Sequence, residues 1–548
     1  MRIFKYLILA LFFFLFSRNA QALDIQYGSI LGWKKGEVLV QYYGIEVKNN
    51  YLCNTTTLAC NETKIKNLGK DVSKKPSKSM LKKLKKAHNS HITLSPSGKF
   101  LAYYHSAGEK ENTSTFSLKD LKNKKDYKLS ENTTYWDLVE DQGKVFEFSP
   151  DKKTLLYLND SGGTLALYKV DTTKLDGKNL TSEKIPTTAY SIDDFLMFDA
   201  KTLYYVGNTK DNPYTWSLYR RDMKTGSEKI IETSVSYYDS LIKLGNKIAF
   251  GHLEQKGFGP ELYDTTNGKL ETFNIPGINP NKNIHNQEII QTNSAHGILM
   301  TPDNVNNTNS YPLVVWLHGG PYRQTSFGYH SFHSYGLYDS ILELLRKDSV
   351  IVLKLDYRGS LGFGRAYAES LKNQVGKGDV NDVMDAVSYA KSRYNISNVY
   401  LAGNSYGGYL SLKSLAEHPE TFTGVVSING VTDWQSLLVK MQKSIFNTQF
   451  GGLPDAHNQV LYDQASIINN ISKIGNQKIL IVQGQSDHTI PPWQANLLYD
   501  KLKDQNKNVT IVKYLKEDHV FKHKENISDL CVQMFNFIGL APDAECNN

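Results

Sequence analysis

One serine stands in a pattern that could make it a nucleophile. Ser405 lies between Gly403 and Gly407 in a Gly-x-Ser-x-Gly pattern. A predicted strand (residues 399–401) precedes this pattern, and a predicted helix begins near Gly408. Small residues allow a sharp, strained turn from strand to helix, which lifts the serine hydroxyl above the sheet. The pattern therefore predicts nucleophilic chemistry at Ser405.

A serine hydroxyl needs a base, and the base needs an acid to orient it. Asp487 follows a predicted strand (residues 479–482), and His519 follows the next one (residues 509–514). The carboxyl ends of parallel strands meet at one edge of a sheet, so these side chains are expected beside Ser405. The order serine, acid, histidine along the chain is that of α/β-hydrolases.

Three nearby residues compete for these roles. His488 adjoins the proposed acid and cannot easily turn back onto it, and Asp518 adjoins the proposed base. His523 follows His519 with helical i, i+4 spacing, which could also suggest a metal pair. No His-Glu-x-x-His frame surrounds the two histidines, so we expect no zinc site. Loop position favours His519 as the base.

The oxyanion that forms during acyl transfer needs preorganised hydrogen-bond donors. The backbone N–H of Tyr406, directly after the nucleophile, is one candidate. The second is expected in the loop after a predicted strand (residues 312–317), which begins with His318-Gly319-Gly320. Glycines there would let the backbone approach the substrate oxygen; an ordinary turn is the alternative.

Two patterns of secondary structure divide the chain. From residue 286 to 548, β-rich runs alternate with helical stretches, and several runs are apolar on both faces. This alternation predicts a doubly wound, mostly parallel sheet of the α/β-hydrolase type.

The region from residue 23 to 285 has short strands and polar turns with a weak repeat. A Leu-centred phrase recurs at Leu118, Leu167, Leu218 and Leu262, with spacings of 49, 51 and 44 residues. Repeats of about 40–50 residues are typical of β-propeller blades, which bury their faces against each other. We expect a propeller of about five or six blades; a pair of β-sandwiches is the alternative.

The first 22 residues read as a secretory signal, with a basic start, an apolar run and an Ala-Gln-Ala cleavage site ending at Ala22. The net charge is +8, but residues 64–86 alone carry +9, so the rest of the chain sums to 8 − 9 = −1. That segment has no interleaved aromatic residues, which argues against nucleic-acid binding. No later segment is apolar enough to predict membrane insertion after cleavage.

Four cysteines fit an exported protein. Sequence proximity favours pairing Cys53 with Cys60 and Cys531 with Cys546, out of three possible connectivities. Their spacing is not that of a Cys-x-x-Cys zinc or redox site.

The chain resembles the prolyl oligopeptidase family of serine peptidases, near its acylaminoacyl peptidase and bacterial dipeptidyl peptidase branches. The agreement spans nearly all the mature chain, with a β-propeller first and a hydrolase domain second. The matching phrases are His318-Gly319-Gly320-Pro321, Asp356-Tyr357-Arg358-Gly359-Ser360, Gly403 to Tyr409, Thr432-Asp433-Trp434, Asp487 with Ile490-Pro491, and His519. The resemblance implies the triad Ser405, Asp487 and His519, and a propeller that restricts entry to short peptides. Prolyl oligopeptidases begin the oxyanion loop with a Tyr where this chain has His318, so the backbone N–H of Gly320 is implied as donor. Trp434 is implied to line the pocket for the side chain before the cleaved bond.

The predicted reaction is therefore hydrolysis of short peptides through an acyl-enzyme on Ser405, without a metal or cofactor. A serine esterase on small acyl substrates and a non-catalytic propeller scaffold remain alternatives. The sequence leaves open whether the protein acts as an aminopeptidase, dipeptidyl peptidase or endopeptidase, and whether it forms a homo-oligomer.

Overall fold

The computed structural model describes residues 27–34, 36–43, 48–64, 77–86, 89–105, 115–131, 144–160, 162–175, 180–235, 237–254, 257–275, 286–330, 333–441 and 449–547. The predicted signal segment lies outside these residues. In the part of the chain that the structure describes, no helix is both long and apolar enough to cross a membrane.

Within its described residues, the N-terminal region contains five four-stranded antiparallel sheets that follow one another along the chain. The first contains β1 (Tyr27–Lys34), β2 (Glu37–Tyr43), β3 (Lys48–Asn54) and β4 (Cys60–Thr63). The second contains β5 (Asn89–Leu94), β6 (Phe100–His105), β7 (Thr115–Asp120) and β8 (Lys125–Glu131), with helix α1 (Lys78–Lys86) before it. The third contains β9 (Phe146–Phe148), β10 (Thr154–Asn159), β11 (Ala166–Asp171) and β12 (Glu183–Lys184). The fourth and fifth contain β13 (Ser191–Met197), β14 (Thr202–Asn208), β15 (Trp216–Asp222), β16 (Glu228–Val235), β17 (Tyr237–Leu244), β18 (Lys247–Glu254), β19 (Gly257–Asp264) and β20 (Leu270–Thr272).

These small sheets bury their apolar faces against each other. Apolar residues of the second, third and fourth sheets share one core, which includes Phe116, Tyr157 and Phe195. The fourth packs on the fifth, and the fifth packs on the first. The first and last units of the repeat are therefore neighbours in space, although they lie far apart in the sequence.

The C-terminal region is built on one eight-stranded sheet. Its strand order is β21-β22-β24-β23-β25-β26-β27-β28. β22 pairs antiparallel with β21 and with β24, and the other pairs are parallel. The strands are β21 (Gln287–Gln291), β22 (His296–Met300), β23 (Tyr311–Leu317), β24 (Ile351–Asp356), β25 (Ile396–Asn404), β26 (Gly424–Ile428), β27 (Lys478–Gly484) and β28 (Val509–Tyr514).

Helices cover both faces of this sheet, as the sequence predicts. Neighbouring strand residues such as Leu313 and Val314 point into different cores, because side chains alternate along a strand. One core contains α4 (Gly378–Arg393), α5 (Tyr406–Glu417) and α8 (Trp493–Asp504), and the other contains α2 (His333–Lys347) and α9 (Lys524–Ile538). The remaining helices are α3 (Arg365–Glu369), α6 (Trp434–Met441), α7 (Gln459–Ala465) and the short 3-10 turns Ile467–Asn469, Ile471–Lys473 and Ala544–Asn547.

Two disulfides pair the cysteines as sequence proximity suggests. Cys53 bonds Cys60 across β3 and β4, and Cys531 on α9 bonds Cys546 in the tail. A loop of 15 residues closed in this way contributes about 3 kcal/mol by restricting the unfolded chain.

The two regions meet through polar contacts near the oxyanion loop. The Tyr214 hydroxyl donates a 2.5 Å hydrogen bond to Asp356 Oδ2 at the end of β24, and both residues are buried. The Tyr190 hydroxyl donates to the Phe363 carbonyl at 3.2 Å. The backbone N–H of Arg365 donates to the Gly163 carbonyl at 2.6 Å. The N-terminal sheets are thus joined to loops that follow β24 of the large sheet.

Candidate active site

The predicted nucleophile lies on a strained turn. β25 ends at Asn404 and α5 begins at Tyr406, so Ser405 alone makes the turn between them. Its backbone has φ 58° and ψ −117°, a combination that costs a non-glycine residue about 1–3 kcal/mol. The Ser405 N–H donates to the Ile428 carbonyl at 2.8 Å, which fixes the turn to the end of β26.

The glycines on either side of this turn have no room for a side chain. A β-carbon on Gly407 would lie 1.8 Å from the Leu317 carbonyl oxygen, and one on Gly403 would lie 2.5 Å from the Gly407 carbonyl group. Any larger residue would push the turn away from β23. The Gly-x-Ser-x-Gly pattern is therefore required here by close packing of backbone on backbone.

The predicted acid and base are hydrogen-bonded to each other. His519 Nδ1 lies 2.7 Å from Asp487 Oδ2. Asp487 Oδ1 accepts the backbone N–H groups of Thr489 and Ile490, both at 2.8 Å, and the Asp487 side chain is buried. These contacts hold the carboxylate rigidly. A carboxylate paired with Nδ1 places the proton on that nitrogen and leaves Nε2 of His519 as the basic atom.

Asn429, which sequence reasoning missed, connects the three loops. Its side-chain amide donates to the His519 carbonyl at 3.1 Å, and its Oδ1 accepts the Gly484 N–H at 2.9 Å. It directly follows Ile428, whose carbonyl binds the Ser405 N–H. The three predicted residues are thus held at one edge of the sheet. An Asn-Gly pair directly after an apolar strand was the signal in the sequence.

The competing residues have other surroundings. His523 Nδ1 lies 2.9 Å from Glu517 Oε1, and Glu517 also accepts the backbone N–H groups of Lys522 and His523. His488 is exposed. Asp518 accepts the backbone N–H of His519 at 2.7 Å. Among these residues, only His519 is paired with Asp487.

The predicted oxyanion loop lies against the nucleophile. A β-carbon on Gly319 would be 3.1 Å from the β-carbon of Ser405. Gly320, the next residue, has φ +124°, which favours glycine. Tyr406 is the first residue of α5, and the first N–H groups of a helix have no acceptor within it. Both predicted donors therefore belong to backbone segments that border Ser405.

The His318 side chain supports the oxyanion loop. Its ring is buried and stacks on Tyr357 with ring centroids 4.6 Å apart. Nε2 lies 2.9 Å from Ser360 Oγ, Nδ1 lies 2.7 Å from the Gly319 carbonyl, and Asp356 is 3.3 Å away. The Asp-Tyr-Arg-Gly-Ser phrase of the sequence thus supports the oxyanion loop.

Trp434 is fully buried and packs against Tyr406, the residue after the predicted nucleophile. Its ring packs against Tyr406, Tyr409 and Phe450 at centroid distances of 5.8, 5.1 and 5.4 Å. Its predicted role in a substrate pocket stays a prediction. Within the described ranges, no group of three or more His, Cys, Asp or Glu side chains is arranged to hold a metal ion.

Known proteins resemble this chain both in sequence and in fold. The acylamino-acid-releasing enzyme of Rattus norvegicus is 30% identical over 241 residues, which cover 42% of this chain and 32% of that protein. A probable dipeptidyl-aminopeptidase B of Sclerotinia sclerotiorum is 27% identical over 320 residues, or 55% of this chain and 33% of that one. The aligned parts span about a third of the length of these relatives.

Solved structures share the fold over nearly the whole chain. A puromycin-hydrolyzing peptidase of Mycobacterium tuberculosis has a TM-score of 0.68 at 16% identity and covers 96% of this chain and 81% of that one. The dipeptidyl peptidase 4 of Porphyromonas gingivalis has a TM-score of 0.65 at 15% identity, with coverage of 93% and 71%.

One protein-family model matches the region of the chain that contains the candidate site. The model of the prolyl oligopeptidase family matches residues 337–541. This range includes Ser405, Asp487 and His519. Residues 337–541 of this chain are therefore similar to the prolyl oligopeptidase family of serine-type peptidases.

Proposed function

We propose that this protein is an exported serine peptidase that hydrolyses short peptides through an acyl-enzyme on Ser405. One observation carries the proposal: His519 Nδ1 lies 2.7 Å from the buried carboxylate of Asp487. Asn429 binds the backbone of His519 and lies directly after the strand end that holds the strained turn of Ser405. An imidazole oriented in this way is the base that a serine nucleophile requires.

The reaction uses groups of this chain alone. His519 Nε2 takes the proton of Ser405 as its oxygen attacks the peptide carbonyl, and Asp487 stabilises the resulting imidazolium. The backbone N–H groups of Tyr406 and Gly320 hold the oxyanion. His519 then gives its proton to the leaving amine, which departs as the acyl-enzyme forms. A water molecule, deprotonated by the same imidazole, releases the acyl group and restores Ser405.

We also propose that the five N-terminal sheets are the blades of a propeller that limits access to the site. Their sequential packing supports this, because the fifth sheet contacts the first. Tyr322, next to the oxyanion loop, packs into the core of the second to fourth sheets. A propeller at this position would cover the active site and admit short peptides only.

The relatives suggest which peptides to test first. Their names point to release of acylated amino acids and to dipeptidyl-aminopeptidase action. Peptides with blocked and with free amino termini should therefore be compared. Trp434 is still proposed to line the pocket for the residue before the cleaved bond, although its ring has no exposed surface in the structure and would meet that residue only after its neighbours move.

Export is proposed from the predicted signal ending near Ala22 and from the two disulfides. Disulfides persist in oxidising compartments such as the periplasm or the exterior. A mature chain that begins near residue 23 and lacks free thiols would support this location.

The decisive experiment compares wild type with Ser405→Ala. We expect fluorophosphonate labelling and peptide turnover in wild type only, with the same melting temperature in both proteins. Labelling that persists in Ser405→Ala would show that the nucleophile is misassigned. Turnover of a p-nitrophenyl ester without any turnover of peptide amides would favour the esterase, and a wild type that does not label would favour the binding scaffold.

A further inference from the structure

A tyrosine of the helix after the oxyanion loop lies against Gly319, the glycine that also borders the nucleophile. α2 carries Tyr335 in its first turn. A β-carbon placed on Gly319 would lie 2.8 Å from Tyr335 Oη and 3.1 Å from the β-carbon of Ser405. The Tyr335 hydroxyl oxygen and the Ser405 β-carbon therefore lie at most 5.9 Å apart, on the side of Gly319 where a side chain would stand.

The surroundings of Tyr335 favour a neutral, polarised hydroxyl. Burial raises its pKa, against smaller opposing effects of the Arg323 charge, a hydrogen bond from Arg323 and one with the Gly319 backbone. A hydrogen bond that lowers a phenol's pKa is donated to its oxygen. Tyr335 thus keeps its proton at neutral pH, and the donors on its oxygen make that proton a better hydrogen-bond donor.

His318 cannot supply a donor to the substrate from the start of the loop. Both of its ring nitrogens are engaged, with the Gly319 carbonyl at 2.7 Å and Ser360 Oγ at 2.9 Å. Its ring is only 2% exposed. A side-chain donor for the oxyanion must therefore come from another element.

We propose that the Tyr335 hydroxyl donates a hydrogen bond to the substrate's carbonyl oxygen as that oxygen becomes an oxyanion, beside the N–H groups of Tyr406 and Gly320. Tyr335 is then a further catalytic residue, and Arg323 positions and polarises it. No proton is transferred from Tyr335 in this step. The inference rests on the proposed peptidase function.

The test is Tyr335→Phe, which keeps the ring and removes the hydroxyl. Loss of one oxyanion donor lowers kcat by about 100- to 1000-fold in a water-excluded site, so we expect kcat to fall by about 100-fold. KM should stay within about threefold, because the contact forms in the transition state. The affinity for a peptide boronic acid, which forms a tetrahedral adduct, should fall by a similar factor, while the affinity for the product peptide should not change.

Tyr329→Phe is the matched control. Tyr329 is a buried tyrosine of the same segment, and its pKa is raised first by burial and then by the charges of Glu343 and Asp339. We expect it to leave kcat and boronate affinity unchanged. A Tyr335→Phe protein with kcat within about threefold of wild type, or with the same losses as Tyr329→Phe, would overturn the proposal.

A second measurement tests the role of Tyr335 even if the Tyr335→Phe protein folds poorly. Difluorotyrosine at position 335 keeps the ring and the hydroxyl but has a more acidic phenol. If Tyr335 is the donor, the alkaline limb of the kcat profile shifts to lower pH; an unchanged profile contradicts the role. Wild type that neither labels nor turns over peptides refutes the peptidase function itself, whereas active wild type with an unaffected Tyr335→Phe refutes only this inference.

Discussion

The buried contact between Tyr214 and Asp356 allows a quantitative test of how the two regions are joined. Asp356 accepts three hydrogen bonds: from the Tyr214 hydroxyl at 2.5 Å, the Thr325 hydroxyl at 2.7 Å and the Thr325 N–H at 2.8 Å. Tyr214→Phe removes the first and leaves the aromatic ring in place. A hydrogen bond to a charged group contributes about 1.5–3 kcal/mol net. We therefore expect the free energy of unfolding to fall by about 2 kcal/mol.

Tyr190→Phe is the internal comparison for this variant. Its hydroxyl binds a neutral carbonyl at 3.2 Å in a half-buried position, so its loss should cost about 1 kcal/mol or less. At about 2–4 °C per kcal/mol for a domain of this size, calorimetry should show a drop of about 4–8 °C for Tyr214→Phe. The drop for Tyr190→Phe should be clearly smaller.

A double-mutant cycle then isolates the pair. Tyr214→Phe and Asp356→Asn, alone and together, should show a coupling energy of about 1–3 kcal/mol. Equal melting temperatures for Tyr214→Phe and Tyr190→Phe, or a coupling near zero, would refute the reasoning that this contact joins the two regions.

Two further predictions concern residues around the site. Asn429→Ala removes the contacts to Gly484 and His519. We expect the rate of fluorophosphonate labelling to fall at least tenfold, because His519 is misplaced. An unchanged rate would show that the His519 loop keeps its position without Asn429. Asp379 is buried and its pKa is raised to about 6 because burial disfavours its carboxylate. Between about pH 4 and 6, Asp379 therefore keeps its proton in the folded protein more than in the unfolded chain, and its ionisation lowers stability as pH rises through this window. The free energy of unfolding of Asp379→Asn, measured in urea, should rise above that of wild type by up to about 3 kcal/mol as pH rises from 4 to 6. A difference between the two proteins that stays the same at each pH would contradict this.

Much of the fold could be predicted from local patterns. Runs that are apolar on both faces indicated the parallel sheet, and β24 is buried along its whole length. The repeated Leu phrases fall on β7, β11, β15 and β19, one in each of the last four small sheets. The first sheet carries no such phrase, so its membership in the series was visible only once the sheets were packed.

Part of the candidate site could also be predicted from the sequence. The turn at Ser405 could be predicted from its neighbours, because only glycine fits where an added β-carbon would lie 1.8 Å from a carbonyl oxygen, as at Gly407. The partnership of Asp487 and His519 followed from their places after consecutive strands. Neither inference required knowledge of distant contacts.

The sequence by itself determined the turn, the strand ends and the residue types that could react. Only the tertiary structure decided that Asn429 joins the loops, that Tyr335 and Ser405 both border Gly319, and that Tyr214 reaches Asp356 across 142 positions of sequence. The physical reason is that local conformation depends on neighbouring residues, whereas these contacts depend on the order and register of strands and on how helices and domains pack against them.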